Sequence, residues 1–211
     1  MRANLRFTKP LATVLAAALA VAFVASAVAI TPMRRARVGE PAPPLKLVDV
    51  TGKTHDLADY KGKTVVLQWF NPECPFVVGA YREGVVKATL EAAKKTGNVV
   101  FLAVDSSANR TEEVVKNRAP GFLEKYGVEH PVLVDHDGTV GKAYDARTTP
   151  QVFVIDGKGI VRYIGAPTDD PSCRRAGMTN HVITAFQQVA EGKAVTPDTT
   201  RPWGCSVKYD G

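Results

Sequence analysis

Residues 64–77 read TVVLQWFNPECPFV, and this stretch decides the fold. Its first half, Thr64 to Phe70, is a short apolar run rich in β-branched and aromatic residues, which predicts a buried strand. Asn71-Pro72-Glu73 breaks the run. Cys74-Pro75 then opens a long helical pattern. Proline suits the first position of a helix because its missing N–H would find no partner there anyway. Cys74 therefore falls at a helix N-terminus just off a central strand, where free N–H groups and the helix dipole favour negative charge. That placement lowers a thiol pKa, and the thiolate is the form of cysteine that attacks. Two inert readings stand beside this one: a buried thiol without chemistry, or half of a structural disulfide.

Upstream of this stretch, Leu45 to Val50 alternates and predicts a strand, which Thr51-Gly52 turns. Leu57-Ala58-Asp59-Tyr60-Lys61-Gly62-Lys63 leads into the central strand. Downstream, the helix after Cys74 is expected to run to about Lys95 and to stop at Gly97. Val78, Tyr81, Val85 and Leu90 give it a broken apolar stripe, weakened by Gly79 and Gly84. Asn98 to Val104 is apolar throughout, as expected of a parallel strand covered on both faces. Thr111 to Tyr126 predicts a helix broken at Pro120-Gly121. Val132 to Asp135 is a short strand, turned by Asp137-Gly138.

Thr148-Thr149-Pro150 precedes a strand over Gln151 to Ile155. Asp156-Gly157-Lys158-Gly159 is a hairpin turn, and Ile160 to Ile164 pairs back antiparallel. Residues 165–179 read as a polar loop holding Asp169, Asp170 and Cys173. Asn180 caps a last helix to Glu191, with Val182, Ile183, Phe186, Val189 and Ala190 on its core face and Gly192 ending it. The order β, α, β, α, β, β, α predicts a three-layer α/β/α sandwich.

The first 30 residues are read as a targeting segment outside the fold. Arg2, Arg6 and Lys9 form a positive start, and Leu11 to Ile30 is apolar apart from Thr13 and Ser26. Ala25-Ser26-Ala27 and Ala27-Val28-Ala29 offer small-x-small cleavage sites, while about 20 apolar residues are also enough for an uncleaved anchor. Either way the segment contacts the membrane during export, and the domain is expected to be periplasmic or otherwise extracytoplasmic, where a disulfide persists. The organisation is thus a signal peptide or anchor over 1–30, a proline-rich linker over 31–44, one domain over 45–192 and a tail over 193–211.

The formal charge of +6 falls to +3 once the three basic residues of the leader are set aside, 6 − 3. No basic run exceeds Arg34-Arg35, so nucleic acid is not an expected partner. Three cysteines, Cys74, Cys173 and Cys205, are too few for a disulfide scaffold and too widely spaced for a zinc site, so no metal is expected. The four histidines, His55, His130, His136 and His181, fall in predicted turns or at helix starts, and none is tied to Cys74 by sequence. Glu73 reads as a solvated turn residue whose charge would oppose thiolate formation next door.

The strand, turn, Cys-Pro and helix, followed later by Thr149-Pro150, resemble the active-site turn and proline-led strand of the thioredoxin superfamily. Leu57-x-x-Tyr60-Lys61-Gly62-Lys63 resembles the approach to the first core strand of redoxins and peroxiredoxins. The tail, Thr200-Arg201-Pro202-Trp203-Gly204-Cys205-Ser206-Val207-Lys208, resembles the ending of bacterial peroxiredoxin-like redoxins that carry a single Cys-Pro. The resemblance covers roughly residues 38–211. It implies a thioredoxin-like sandwich with an N-terminal extension and a C-terminal tail, and an antioxidant or thiol–disulfide oxidoreductase acting without a cofactor. Protein or small-molecule thiols and disulfides are its implied partners, with peroxide as a further one.

The resemblance also assigns roles. Cys74 is the nucleophile, Pro75 opens its helix, and Pro150 follows a cis bond that exposes the Thr149 backbone to a thiol-bearing substrate. Val77 stands where thioredoxins carry their second cysteine, so Cys205 becomes the resolving thiol. In peroxiredoxins a Pro-x-x-x-Thr-x-x-Cys motif orients the peroxide, and its proline and threonine positions are Leu67 and Asn71 here. The buried carboxylate of thioredoxins, six residues before the first cysteine, is Gln68. A non-enzymatic reading stands beside the enzymatic one: a binding module stapled by a Cys74–Cys205 disulfide, which chain-entropy arithmetic credits with about 4–5 kcal/mol.

Overall fold

The quoted strand is the axis of the molecule. In the computed structural model, which describes residues 35–209, β3 (Thr64–Trp69) is buried at every position. It sits inside a seven-stranded sheet with β1 (Lys46–Asp49), β2 (Thr54–Asp56), β4 (Val99–Asp105), β5 (Val132–Val134), β7 (Val152–Ile155) and β8 (Val161–Gly165), in the order β2-β1-β5-β4-β3-β7-β8. β3 runs parallel to β4, and β4 to β5; β7 lies antiparallel on the other side of β3. A separate two-stranded ladder joins β6 (Thr148–Thr149) to β9 (Cys205–Ser206).

Alternate residues along the strands feed two cores. Val66, Phe101, Ala103, Val132, Val152, Val154 and Tyr163 face one side. Helices α1 (Pro75–Arg82), α2 (Val85–Thr96), α3 (Glu112–Lys125) and α5 (His181–Ala190) cover it. Val65, Leu67, Trp69, Leu102, Val104, Leu133 and Phe153 face the other, under α4 (Thr139–Tyr144) and the segment around Ala36 and Leu45. The result is the expected three-layer sandwich, and its long apolar strands are those of a sheet covered on both faces. Among the described residues no helix is long and apolar enough to cross a membrane. The targeting segment expected over residues 1–30 lies outside the described residues.

Four local expectations are corrected. The helix after Cys74 is two helices, because Gly84 takes a left-handed φ of +77° between them, a conformation open to glycine at little cost. Pro120 does not break α3. Val115, Ala119 and Leu123 anchor one face of that helix in the core, and their burial outweighs the hydrogen bond that proline removes. Residues 36–42, expected in a linker, are bound to the domain: Ala36 N–H donates to Ala143 O, Gly39 N–H to Val161 O and Ala42 N–H to Gly159 O. His55 is not in a turn; it lies buried in β2, hydrogen-bonded to Asp49 at 2.8 Å.

Candidate active site at the Cys74 turn

The chain leaves β3 at Trp69, whose indole N–H donates to Ser106 Oγ at 3.1 Å while Ser106 donates to Asp135. The turn that follows is tied by Asn71: its side chain accepts from Glu73 N–H at 2.8 Å and its carbonyl from Cys74 N–H at 3.0 Å. Cys74 takes extended φ/ψ as the N-cap of α1, and Pro75 is the first helical residue. Only 2% of Cys74 is exposed.

Opposite this turn, the Thr149–Pro150 bond is cis, as the family resemblance implied. The protonated Cys74 thiol donates to the Thr149 carbonyl at 3.0 Å. Gln151 Oε1 accepts from the N–H groups of Arg147 and Thr148 at 2.9 and 3.3 Å, bracing the short strand from below. Sequence reading missed Gln151; an amide directly after a Thr-Thr-Pro carries no local signal of that role.

The tail closes the site. Cys205 pairs with Thr149 and Ser206 with Thr148 across the β6–β9 ladder. Trp203 packs its ring, tilted by 47°, with its centroid 6.0 Å from that of Phe76 on the first turn of α1, and donates its indole N–H to Thr168 O at 2.9 Å. Beyond the ladder, Val207 N–H donates to Arg147 O, Ala108 N–H to Lys208 O, and Tyr209 Oη to Ala146 O at 2.7 Å. Sequence-predicted Cys74, Pro75, Thr149, Pro150 and Cys205 thus meet in one place. The anchoring residue Tyr209 was not foreseen.

The two thiols are electrostatically unequal. Burial pushes the Cys74 thiol up, but hydrogen bonds from the Cys205 and Thr149 side chains and from the N–H groups of Val77 and Cys205 outweigh it, leaving its pKa lowered. Burial and the neighbouring Cys74 push Cys205 the other way, up to about 11. Of the two thiols Cys74 is therefore the one that ionises first, with Cys205 keeping its proton and donating to it. Glu73 does not oppose this arrangement as the bare sequence suggested. Arg110 binds it at 2.8 Å and Arg118 at 3.4 Å, and the Arg110 contact holds its carboxyl below the ordinary range.

Gln68 lies buried in β3, its amide nitrogen without a partner among the described residues, so no carboxylate stands at that point to take a proton. Cys173 lies in the expected loop. Its loop is polar, but the thiol is 3% exposed and faces Thr168 Oγ1 at 4.0 Å. Burial pushes its pKa up, and the flanking Arg174 and Arg175 pair with Glu83 and Asp169. His130 is buried against Tyr81 Oη at 2.9 Å, and His181 begins α5; neither is bonded to Cys74.

Comparison with known proteins follows the same lines. The model of the Redoxin family matches residues 37–182. Peroxiredoxin-2 of Macaca fascicularis is 29% identical over 182 residues, covering 82% of this chain and 90% of that protein. The thiol-disulfide oxidoreductase ResA of Geobacillus kaustophilus is 31% identical over 127 residues, covering 60% and 68%. Among solved structures, a hypothetical protein of Sinorhizobium meliloti 1021 superposes with a TM-score of 0.72 at 26% identity, over 83% of this chain and 96% of that one. An uncharacterized conserved protein of Geobacillus kaustophilus does so at 0.72 and 27%, over 82% and 93%.

Proposed function

This chain belongs to the redoxin family, and on that footing we propose that it is an exported thiol–disulfide oxidoreductase with Cys74 as nucleophile and Cys205 as resolving thiol. The observation that carries the reading is the seating of Cys205 by the β6–β9 ladder as hydrogen-bond donor to Cys74. Relatives named as thiol-disulfide oxidoreductases support the reaction class. Export rests on the apolar, arginine-led segment at residues 1–30.

In the reaction, the Cys74 thiolate attacks one sulfur of a substrate disulfide. That S–S bond breaks, the second sulfur leaves as a thiolate and takes up a proton, and a mixed disulfide with Cys74 forms. Cys205 gives up its proton and attacks Cys74 Sγ. The substrate departs with both sulfurs reduced, and the protein is left with a Cys74–Cys205 disulfide. An external dithiol returns it to the dithiol form. Peroxide is the less favoured substrate, because Leu67 and Asn71 stand where peroxiredoxins place the proline and threonine that orient it.

The test is peptide mapping of the mildly oxidised protein under non-reducing conditions, paired with its reduction potential. A Cys74–Cys205 cross-link with a potential above about −300 mV is expected of a redox pair. Cys74 found only free, or joined to Cys173, overturns the assignment. A cross-link well below that potential makes it a staple instead.

A further inference from the structure

Resting on that reading, we infer that β9 is a built-in surrogate substrate: it occupies the strand edge on which a cysteine-bearing extended polypeptide docks, and the two exchange there. The substrate class is thereby a polypeptide segment with an aromatic residue and a small residue just before its cysteine.

Four observations carry this. Cys74 is 2% exposed with the tail in place, so no substrate disulfide reaches it until the tail moves. The backbone of Thr148 and Thr149 is the edge beside Cys74, and the tail covers it with a ladder of two residue pairs, the rest of its hold coming from Trp203, Val207, Lys208 and Tyr209 outside the ladder. A ladder so short is readily replaced by another extended chain, since adding a strand to a sheet edge draws its affinity from main-chain hydrogen bonds and its specificity from side-chain pockets. The tail also shows what the edge accepts. At Gly204 a Cβ would overlap the Thr149 carbonyl oxygen, so the residue before the cysteine must be small. At Trp203 a ring packs by Phe76, itself 38% exposed and the apolar wall of the site.

The exchange gives the two halves of the reaction a shared mechanism. With the tail off, the incoming segment pairs with Thr149 and its disulfide sulfur meets the Cys74 thiolate; one substrate sulfur leaves as thiolate and a mixed disulfide remains. When β9 returns, it displaces the segment from the edge and brings Cys205 Sγ onto Cys74. Resolution and product release are then one event.

The test uses the full-length chain carrying Cys205→Ser, which keeps Cys74 as nucleophile and prevents resolution. It is compared with the same chain carrying Gly204→Val, whose side chain cannot share space with Thr149 O. Tyr209→Ala is a second way to loosen the tail, because it removes the ring that fills the space beside Gly138 and Gly141. The probes are the peptide Arg-Pro-Trp-Gly-Cys-Ser-Val-Lys as its mixed disulfide with thionitrobenzoate, the same peptide with valine for glycine, and Ellman's reagent itself. Release of thionitrobenzoate is followed, and adducts at Cys74 are mapped by mass spectrometry.

Both loosened proteins are expected to take up the glycine peptide at least tenfold faster than the tail-docked protein, and the valine peptide at least tenfold more slowly than the glycine peptide. Ellman's reagent is expected to accelerate on loosening, with no peptide preference to show. Equal rates for the two peptides, or no acceleration in either loosened protein while Ellman's reagent still modifies Cys74, overturn the surrogate-substrate inference alone. Failure of Ellman's reagent to modify Cys74 in any of the proteins overturns the nucleophile assignment and this inference with it.

Discussion

Replacing Cys205 by alanine should raise the Cys74 thiol pKa. In the folded protein the Cys205 side chain donates to Cys74, and that contact is the largest of those offsetting the burial of the thiolate. A hydrogen bond to a charged group contributes about 1.5–3 kcal/mol net, and an S–H is a weak donor, so the low end applies. At 1.36 kcal/mol per pKa unit, the expected rise is about 1 unit. The backbone N–H of residue 205 is retained in the variant, so its share of the stabilisation stays. Some water follows the lost sulfur into the site and eases the burial penalty, which sets about 1 unit as the upper side of the expectation. Cys205→Ser keeps a hydroxyl donor and should move the pKa by less than half as much. The reciprocal change, Cys74→Ser, removes the charge beside Cys205 and should let that thiol fall from about 11 toward its ordinary value. The assay is the iodoacetamide rate at Cys74 against pH, read on the isolated tryptic peptide. A Cys205→Ala midpoint at or below that of the parent, or identical shifts in the alanine and serine variants, would refute the donor role of Cys205.

His130 should make the protein acid-sensitive. Burial holds its folded pKa at about 4, below the ordinary value of about 6.5, so its stabilising share is complete above 6.5 and is lost as pH falls from there to 4. The loss is on the order of 3 kcal/mol, and urea midpoints of the parent should fall over that window while those of His130→Asn stay flatter. Arg118→Ala leaves Asp105, fully buried and bonded to Arg118 at 2.8 Å, without its charge partner; denaturant unfolding should show a loss of about 3–5 kcal/mol. Cys173→Ser should cost about 1–3 kcal/mol for a hydroxyl in a buried site while leaving the yield of Cys74–Cys205 disulfide unchanged.

The parts of the fold that sequence reveals are those where local pattern and tertiary burial agree. All six residues of β3 are buried, and the apolar run from Thr64 said so in advance. Asn180 caps α5 through its side chain to the N–H groups of Val182 and Ile183, which is the local chemistry that marks a helix start in sequence. Where the two disagree, the ranking of local signals misleads. Proline is the stronger helix breaker, yet Pro120 sits inside a continuous helix while the weaker signal, Gly84, ends one. What decided the outcome was burial of one α3 face against β5, a long-range fact. Helix α4 has six residues, and its first turn is held by Asp135, which accepts from Val140 and Gly141 N–H at 3.0 and 2.8 Å. No periodicity can reveal a helix that short. The burial of Cys173 inside its polar loop had no local signal either, since its neighbours in sequence are polar.

The site shows the same division more sharply. Cys74-Pro75 and Thr149-Pro150 were legible because each is a local device: a helix start and a strand start. The resolving role proposed for Cys205 came from a family resemblance and from reach, since the fourteen or so residues after α5 are ample to cover the distance at roughly 3.3 Å each. Reach sets no register, however. Register here comes from Gly204, whose missing Cβ lets the tail backbone lie against Thr149, and from Trp203 and Tyr209, which pin the chain on either side. These contacts complete the chemistry as well as the packing. The enclosed Cys74 has no buried carboxylate at Gln68 to share its proton, and the donor that favours its thiolate is the Cys205 side chain. A tail that leaves the site takes away both the cover and the donor. Water then reaches Cys74 and eases the burial that raises its pKa, while the hydrogen bonds from residue 205 that lower it are lost, so the two changes oppose each other. On the reading proposed above, the docked tail gives up access in return for a hydrogen-bond donor, and a substrate that holds the Thr149 edge and supplies its own N–H to Cys74 would recover both.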